Sequence, residues 1–197
     1  IEQRPRIERQ RETLPEIQVL SPEEEKAMIS LFRQWELHDH ADALIVFTDS
    51  GMRMSELWRA RGRDIVSEHG QLIIRQTKTR SNTTGDRIVP MTKRVREILE
   101  ARRDRFGISE KLFPGMDNYK YRRAWERAKV VLKIDDKERF TPYITRHTCA
   151  SRLVRSGASL SLVKDWLGHT SIATTMRYAS LAPNHLKRGV EALERYT

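Results

Sequence analysis

"DIVSEHGQLIIRQTKTRSNTTGDRIVPM", residues 64–91, decides the fold class. It holds three short extended runs, Asp64 to Ser67, Gln71 to Thr79 and Arg87 to Met91, separated by Gly-containing turns. Such spacing predicts a small three-stranded antiparallel sheet. The strand signal is confined to this stretch, and the chain on both sides reads as helix. The expectation is therefore a mainly α domain with a small three-stranded antiparallel β-sheet, an α+β fold.

Upstream, "SPEEEKAMISLF" begins with Ser21 as a cap, Pro22 in the first turn and Glu24 three residues after the cap, which predicts a helix to about Leu37. Ala43 to Phe47 is a second apolar stretch, followed by a turn over Asp49 to Gly51 and a short helix in "MRMSELWRA". Downstream, Thr92 caps a helix ended by Gly107, with Val95, Ile98, Leu99 and Phe106 on one face. Tyr121, Trp125, Ala128 and Leu132 give the apolar stripe of a helix over about residues 118–132. The last third reads as short helices stopped at Gly157 and Gly168, then a terminal helix from about Asn184.

At 197 residues the chain is long enough for one sizeable core. Residues 1–50 carry 6 basic and 11 acidic side chains, which leaves 31 and 16 of the chain's 37 and 27 for the remainder. That concentrated excess after residue 50 points to a polyanionic partner, although an arginine-rich solvated surface has the same composition. The single Cys149 excludes an internal disulfide framework and fits a reducing compartment. No apolar run approaches the roughly 18 residues of a membrane span, and no signal-peptide pattern is present. Residues 1–20 alternate charges around Pro5 and Pro15 and read as a linker from an upstream part of a longer protein.

Arg53 follows the turn at Gly51, Lys78 lies near the end of the middle strand, Arg146 opens a helix after Pro142, and His169 and Tyr178 flank the turn in "LGHTSIATTMRYAS". These placements across helix ends can bring the side chains together. Each residue also has an ordinary reading. Tyr178 can be a core aromatic, His169 a turn cap, and Arg53 with Glu56 a surface i,i+3 pair. Lys78 is flanked by Arg75 and Arg80, any of which can contact a phosphate. His147, beside Arg146, reads as structural. The run His38 to His40 lacks a third and fourth metal ligand at suitable spacing and reads as a solvated helix end.

"TDSGMRMSEL", "QTKTR", "YITRHTCASRLVRSG" and "LGHTSIATTMRYA" occur in that order and resemble the conserved boxes of the tyrosine recombinase (phage integrase) catalytic domain. The resemblance runs from about residue 21 to about residue 180. It implies breaking and rejoining of DNA phosphodiesters through a covalent 3′-phosphotyrosine, with no metal or other cofactor. Carried over, Arg53 and Arg146 are the phosphate clamp, Lys78 the hairpin lysine that protonates the leaving 5′ oxygen, His169 the histidine of the last box and Tyr178 the nucleophile. Glu56 matches the acidic residue that supports the first arginine.

Two planar guanidinium groups suit this chemistry because negative charge builds on the non-bridging oxygens as phosphorus is attacked. A phenol with an ordinary pKa of ~10 is only about 0.1% ionised at neutral pH, so Tyr178 needs a neighbouring cation or base. One box departs from the pattern. Where the family usually has His-x-x-Arg, this chain has Tyr143, which carries no positive charge and takes no proton near neutral pH.

The resemblance further implies duplex attachment sites as partners, a homotetramer on two sites, DNA-bending accessory proteins, and a cytoplasmic, nucleoid-associated location. The domain expectation is a linker over 1–20, a catalytic domain over 21–180 and a C-terminal helix over 181–197. That helix can be exchanged between protomers or packed on its own core through Leu186, Val190 and Leu193. Two alternatives stand beside it. The stretch from Cys149 to Ala179 can be read as a helix-turn-helix regulator without catalysis, and type IB topoisomerases share the phosphotyrosine chemistry.

Overall fold

The computed structural model describes residues 17–75, 85–134, 140–183, 190 and 193–196. Ser21 caps α1 (Pro22–Gln34) and makes the reciprocal bonds with Glu24 that its sequence predicts. The helix stops three residues before Leu37. Glu36 takes a left-handed φ of 58° and the Leu37 N–H donates back to the Phe32 carbonyl at 2.8 Å, which turns the chain into α2 (His38–Ser50). From Ala43 to Thr48, α2 is buried on every side, so it forms the centre of the core, with α1, α4 and α6 around it.

α3 (Met54–Leu57) leads into the sheet of β1 (Ile65–Val66), β2 (Gln71–Ile74) and β3 (Arg87–Pro90). The order is β1-β2-β3 and both pairings are antiparallel, with Leu72 opposite Val89 and Ile74 opposite Arg87. Period-two alternation puts Leu72, Ile74 and Val89 on the core face, and it buries Arg87 there too. Residues 76–84, which include Lys78 and Arg80, lie outside the described residues.

α4 (Lys93–Phe106) is capped by Thr92, as expected, and α5 (Asn118–Val131) buries Tyr121, Trp125 and Ala128. An aromatic cluster of Phe32, Phe47, Trp58, Phe113, Tyr121 and Trp125 joins α5 to α1 and α2. His40 belongs to this core: it is buried and stacks on Tyr121 at 5.7 Å, so only His38 of the "HDH" run is the solvated end the sequence suggests.

α6 (Ile144–Arg155), α7 (Leu160–Leu167) and α8 (Ile172–Thr175) follow, with a 3₁₀ segment over Met176–Leu181. Gly157 and Gly168 end α6 and α7 with φ of 92° and 67°. Of the apolar face expected to pack at the C-terminus, Val190 and Leu193 are exposed, and Leu186 lies outside the described residues.

Part of the charge asymmetry is consumed inside the fold. Buried Glu25 of α1 accepts from Arg94 of α4 at 2.8 Å, Arg152 of α6 at 2.5 Å and Thr48 of α2 at 3.3 Å. Arg94 also reaches Asp49, and Arg102 reaches Asp39 and Asp42. The acidic first fifty residues thus neutralise arginines of the basic remainder and fix α1, α2, α4 and α6 against one another.

Candidate active site

Two helices end in glycine turns beside the start of α6, and this junction makes the site. α2 finishes at Ser50 with Gly51 in the left-handed region (φ 64°), and α7 finishes at Leu167 with Gly168 likewise left-handed. Helix C-termini leave main-chain carbonyls without helical donors and carry partial negative charge. Arg146 satisfies both ends. Its Nη1 donates to the Gly51 carbonyl at 2.5 Å and its Nη2 to the Leu167 carbonyl at 2.6 Å, while the residue is only 1% exposed. Its buried Nε–H has no partner among the described residues. Burial first, then the nearby charges of Arg53 and Arg87, bring the Arg146 pKa down to about 10, still cationic at neutral pH.

Arg53 is the N-cap of α3, two residues beyond Gly51. Glu56 accepts from its backbone N–H at 2.8 Å and from its Nη1 at 3.0 Å. The pair is not the surface i,i+3 contact that its spacing allows, because the Glu56 side chain is buried while Arg53 stays partly open. Glu56 is held from behind by Arg87, whose Nη1 and Nη2 donate to its two oxygens at 3.0 and 2.9 Å and whose Nε donates to the Trp166 carbonyl at 3.0 Å. Burial works to raise the Glu56 pKa, but the hydrogen bonds and charge of Arg87, with those of Arg53, outweigh it and leave Glu56 ionised. Arg87 therefore ties β3 to α3 and α7 behind the site. Its signal in the sequence is the alternation of β3, where an inward-facing arginine demands a buried partner.

His169 follows the α7 turn. It is buried, its backbone N–H donates to the Lys164 carbonyl at 3.0 Å, and its Nδ1 shares a 2.8 Å hydrogen bond with the Thr175 hydroxyl. Burial lowers its pKa to about 4, and the charges of Arg146, Arg53, Arg177 and Arg87 add to the effect. The charges of four arginines thus act on one imidazole and help keep it neutral.

Tyr178 sits in the 3₁₀ segment. Its ring packs with Ala150, Val154, Val163 and Leu167, and the residue is 2% exposed. The core-aromatic reading and the site reading hold for different ends of one side chain, because its Oη reaches the polar junction and meets His147 Nδ1 at 2.7 Å. Burial pushes the phenol up to about 12 despite the opposing charges of Arg146 and Arg177. Nearby arginines do ease its ionisation, as the need for a neighbouring cation implies, but in this state loss of hydration outweighs them.

His147 is the residue the sequence reading set aside as structural. Its ring is oriented by Tyr178, and burial with the charges of Arg177 and Arg146 lowers its pKa to about 4. Tyr143, at the departing position of the box, is half exposed and stands edge-on to His147 with centroids 5.0 Å apart. Arg75, one of the alternatives to Lys78, is bound by Asp64 at 2.6 Å.

The arrangement brings together Arg53, Glu56, Arg146, His169 and Tyr178 from α3, α6, the α7 turn and the 3₁₀ segment. The match to the phage integrase family model runs over residues 18–185 and so covers every one of these elements. The chain belongs to the phage integrase family. Among relatives, the tyrosine recombinase XerA of Thermococcus kodakarensis is 27% identical over 178 residues, which are 87% of this chain and 61% of that protein. The chain spans 61–62% of the length of this and two further XerA relatives. Among solved structures of the fold, the Tn1549 transposon integrase bound to transposon right end DNA superposes with a TM-score of 0.72 at 20% identity, covering 93% of this chain and 67% of that one. The catalytic domain of bacteriophage HP1 integrase gives 0.68 at 23% identity, covering 89% of this chain and 95% of that one. In this family fold the mainly α architecture carries one small sheet, as expected here.

Proposed function

We propose that this chain is the catalytic domain of a site-specific DNA recombinase, an integrase that cuts and rejoins strands through a tyrosine-linked intermediate. The observation that carries the reading is that Arg146, held against two helix ends, acts on both His169 and Tyr178, while Arg53, fixed through Glu56 and Arg87, acts on His169 beside it. A phosphodiester entering there meets Arg53 at the rim and Arg146 at the base. Their charge opposes the negative charge that grows on the non-bridging oxygens. His169, neutral at neutral pH, donates one hydrogen bond to the same group through Nε2, its Nδ1 being paired with Thr175.

Tyr178 Oη attacks phosphorus, the bond to the 5′ oxygen breaks, and a 3′-phosphotyrosine ester stores the bond for rejoining. Protonation of the departing oxygen is the part given to Lys78. Duplex attachment sites are the substrate, and two such sites held by four protomers, with DNA-bending helpers, complete the assembly. Family membership supports this reading over a helix-turn-helix regulator, for which a cation buried against two helix ends serves no purpose.

The test uses duplexes nicked beside a randomised core, so that a cut strand end diffuses away and covalent complexes accumulate. Wild-type protein yields a protein–DNA band on a denaturing gel, mapped to Tyr178 and to a 3′ end, and Tyr178→Phe yields none. A band that survives Tyr178→Phe, or no band from wild type on any selected core, refutes the proposal. Relaxation of supercoils without exchange between two sites would point to the topoisomerase alternative.

A further inference from the structure

Resting on that reading, the attack requires that Tyr178 Oη lose its proton as it bonds to phosphorus. The family position for a histidine is Tyr143, so the usual candidate is missing from this chain. His169 has its Nδ1 committed to Thr175, and the hydroxyl of Tyr178 is paired with a different ring. We propose that His147 is the proton acceptor that activates Tyr178, taking over in this chain a task that Tyr143 cannot perform.

The hydrogen bond at 2.7 Å already joins the two reacting heavy atoms, within the reach a general base needs. Because α6 places His147 one residue after Arg146, the base and the phosphate clamp move as one rigid piece. In the forward step the bond from Oη to phosphorus forms and the bond from phosphorus to the 5′ oxygen breaks. The phenolic proton passes to Nδ1 of His147, and the 5′ oxygen takes a proton from the site's general acid, the part given to Lys78. In rejoining, the 5′ oxygen bonds to phosphorus and its hydroxyl proton returns to the general acid, while the bond from phosphorus to Oη breaks and the imidazolium returns its proton to Oη.

The charged and titratable groups that face His147 are Arg146, Arg177, Tyr143 and Tyr178. Before DNA arrives, burial and the two guanidinium charges keep the imidazole neutral and give it little power to take the proton; the tautomer protonated on Nε2 is the one that accepts from the phenol. A phosphodiester anion offsets those charges, raises the basicity of His147 and so strengthens the base only when a substrate is present.

The experiment uses the duplex recovered in the trapping assay, made both with its normal scissile oxygen and with sulfur at the 5′ bridging position, where the leaving thiolate needs no proton. Single-turnover rates of covalent attachment are measured for wild type, His147→Ala and His147→Asn, together with DNA affinity and the thermal midpoint of each protein. Asparagine keeps a hydrogen-bond acceptor but cannot hold the proton. Both variants should slow attachment by ~10² or more on the oxygen and the sulfur duplex alike, at unchanged affinity. Four results overturn the proposal: rates within threefold of wild type, faster attachment, restoration by asparagine, or restoration by sulfur. Faster attachment would mean that His147 is a latch on the resting state; rescue by asparagine, that it only positions the ring; rescue by sulfur, that it serves the leaving group. Should Tyr178→Phe also attach, the failure lies in the functional reading itself. If His147→Ala loses its cooperative melt, the asparagine protein alone decides.

Discussion

Replacing Arg87 by methionine removes two of the four donors that Glu56 uses, leaving the carboxylate with the Arg53 backbone N–H and Nη1. The Trp166 carbonyl loses its 3.0 Å donor as well. Both side chains of the pair are under a tenth exposed, so the change strands a buried charge. Breaking one side of such a pair costs about 3–5 kcal/mol, a large share of the roughly 5–15 kcal/mol that holds a domain folded. With a urea slope of about 2 kcal/mol per molar, the midpoint should fall by about 2 M. Adding Glu56→Gln to Arg87→Met should recover part of this, giving a coupling of up to about 3 kcal/mol in the double-mutant cycle. The pH dependence has a definite sign. In wild type Glu56 titrates below its ordinary value, so its contribution is present above that value and is lost as pH falls through the folded pKa. In Arg87→Met burial is no longer outweighed and the folded pKa lies above the ordinary one, so the variant gains stability on acidification. The gap between the two proteins should narrow from pH 7 to pH 4. A cost below about 1 kcal/mol, additive single changes, or a gap constant with pH would refute the reasoning.

Gly51→Ala should cost more than an ordinary left-handed substitution, which is about 1–2 kcal/mol, because the new Cβ would lie 2.6 Å from Leu167 Cδ2 and 3.2 Å from Cys149 Sγ. Urea midpoints check it, and a neutral result would show that the α2 and α7 turns are not in firm contact. Arg146→Lys cannot bridge both carbonyls with one ammonium. Attachment in the nicked-duplex assay should drop by ~10² to 10³ with DNA affinity little changed, and retention of more than half the rate contradicts the clamp. His147 and His169 have folded pKa values of about 4 against an ordinary 6.5. The unfolded chain therefore takes up protons that the folded chain refuses, and stability should fall as pH drops from 6.5 toward 4. The loss is at most about 1.4 kcal/mol per pH unit per histidine, less where solvent screens, and buried His40 adds in the same sense. Thermal midpoints at pH 7, 6 and 5 measure it, and a flat profile in free protein would count against this burial.

Much of the architecture is local and hence readable. The Ser21–Glu24 box, the Thr92 cap and the glycine stops at 51, 157 and 168 work through neighbours a few residues away, and all are present. The sheet was equally legible from its spacing, although Lys78 lies outside the described residues. What was not legible depends on contacts between distant segments. The rotation of α6 against the 3₁₀ segment decides that His147 meets the hydroxyl of Tyr178, 31 residues away, and no local pattern reports that rotation. The Tyr178 ring packs on α6 and α7, so its burial overrides the charge argument made from neighbouring arginines. Likewise, the acidic excess of the first fifty residues looked like a contrast between halves, whereas Glu25 and Asp49 show part of it to be internal pairing.

Among the described residues Arg146 is anchored by peptide carbonyls and not by a carboxylate, which separates the groups that fix its geometry from those that bear on its charge. A carboxylate would have cancelled the cation it positioned; two dipoles locate it and leave a full unit of charge for an incoming anion. The address is written in main chain, at turns whose path depends on Gly51 and Gly168. Point changes that spare the glycines, Arg53 and His169 should therefore be forgiven, whereas inserting or deleting one residue in either turn would move an acceptor and disarm the centre. Variation in chain length, more than in side-chain identity, is what this part of the molecule cannot absorb.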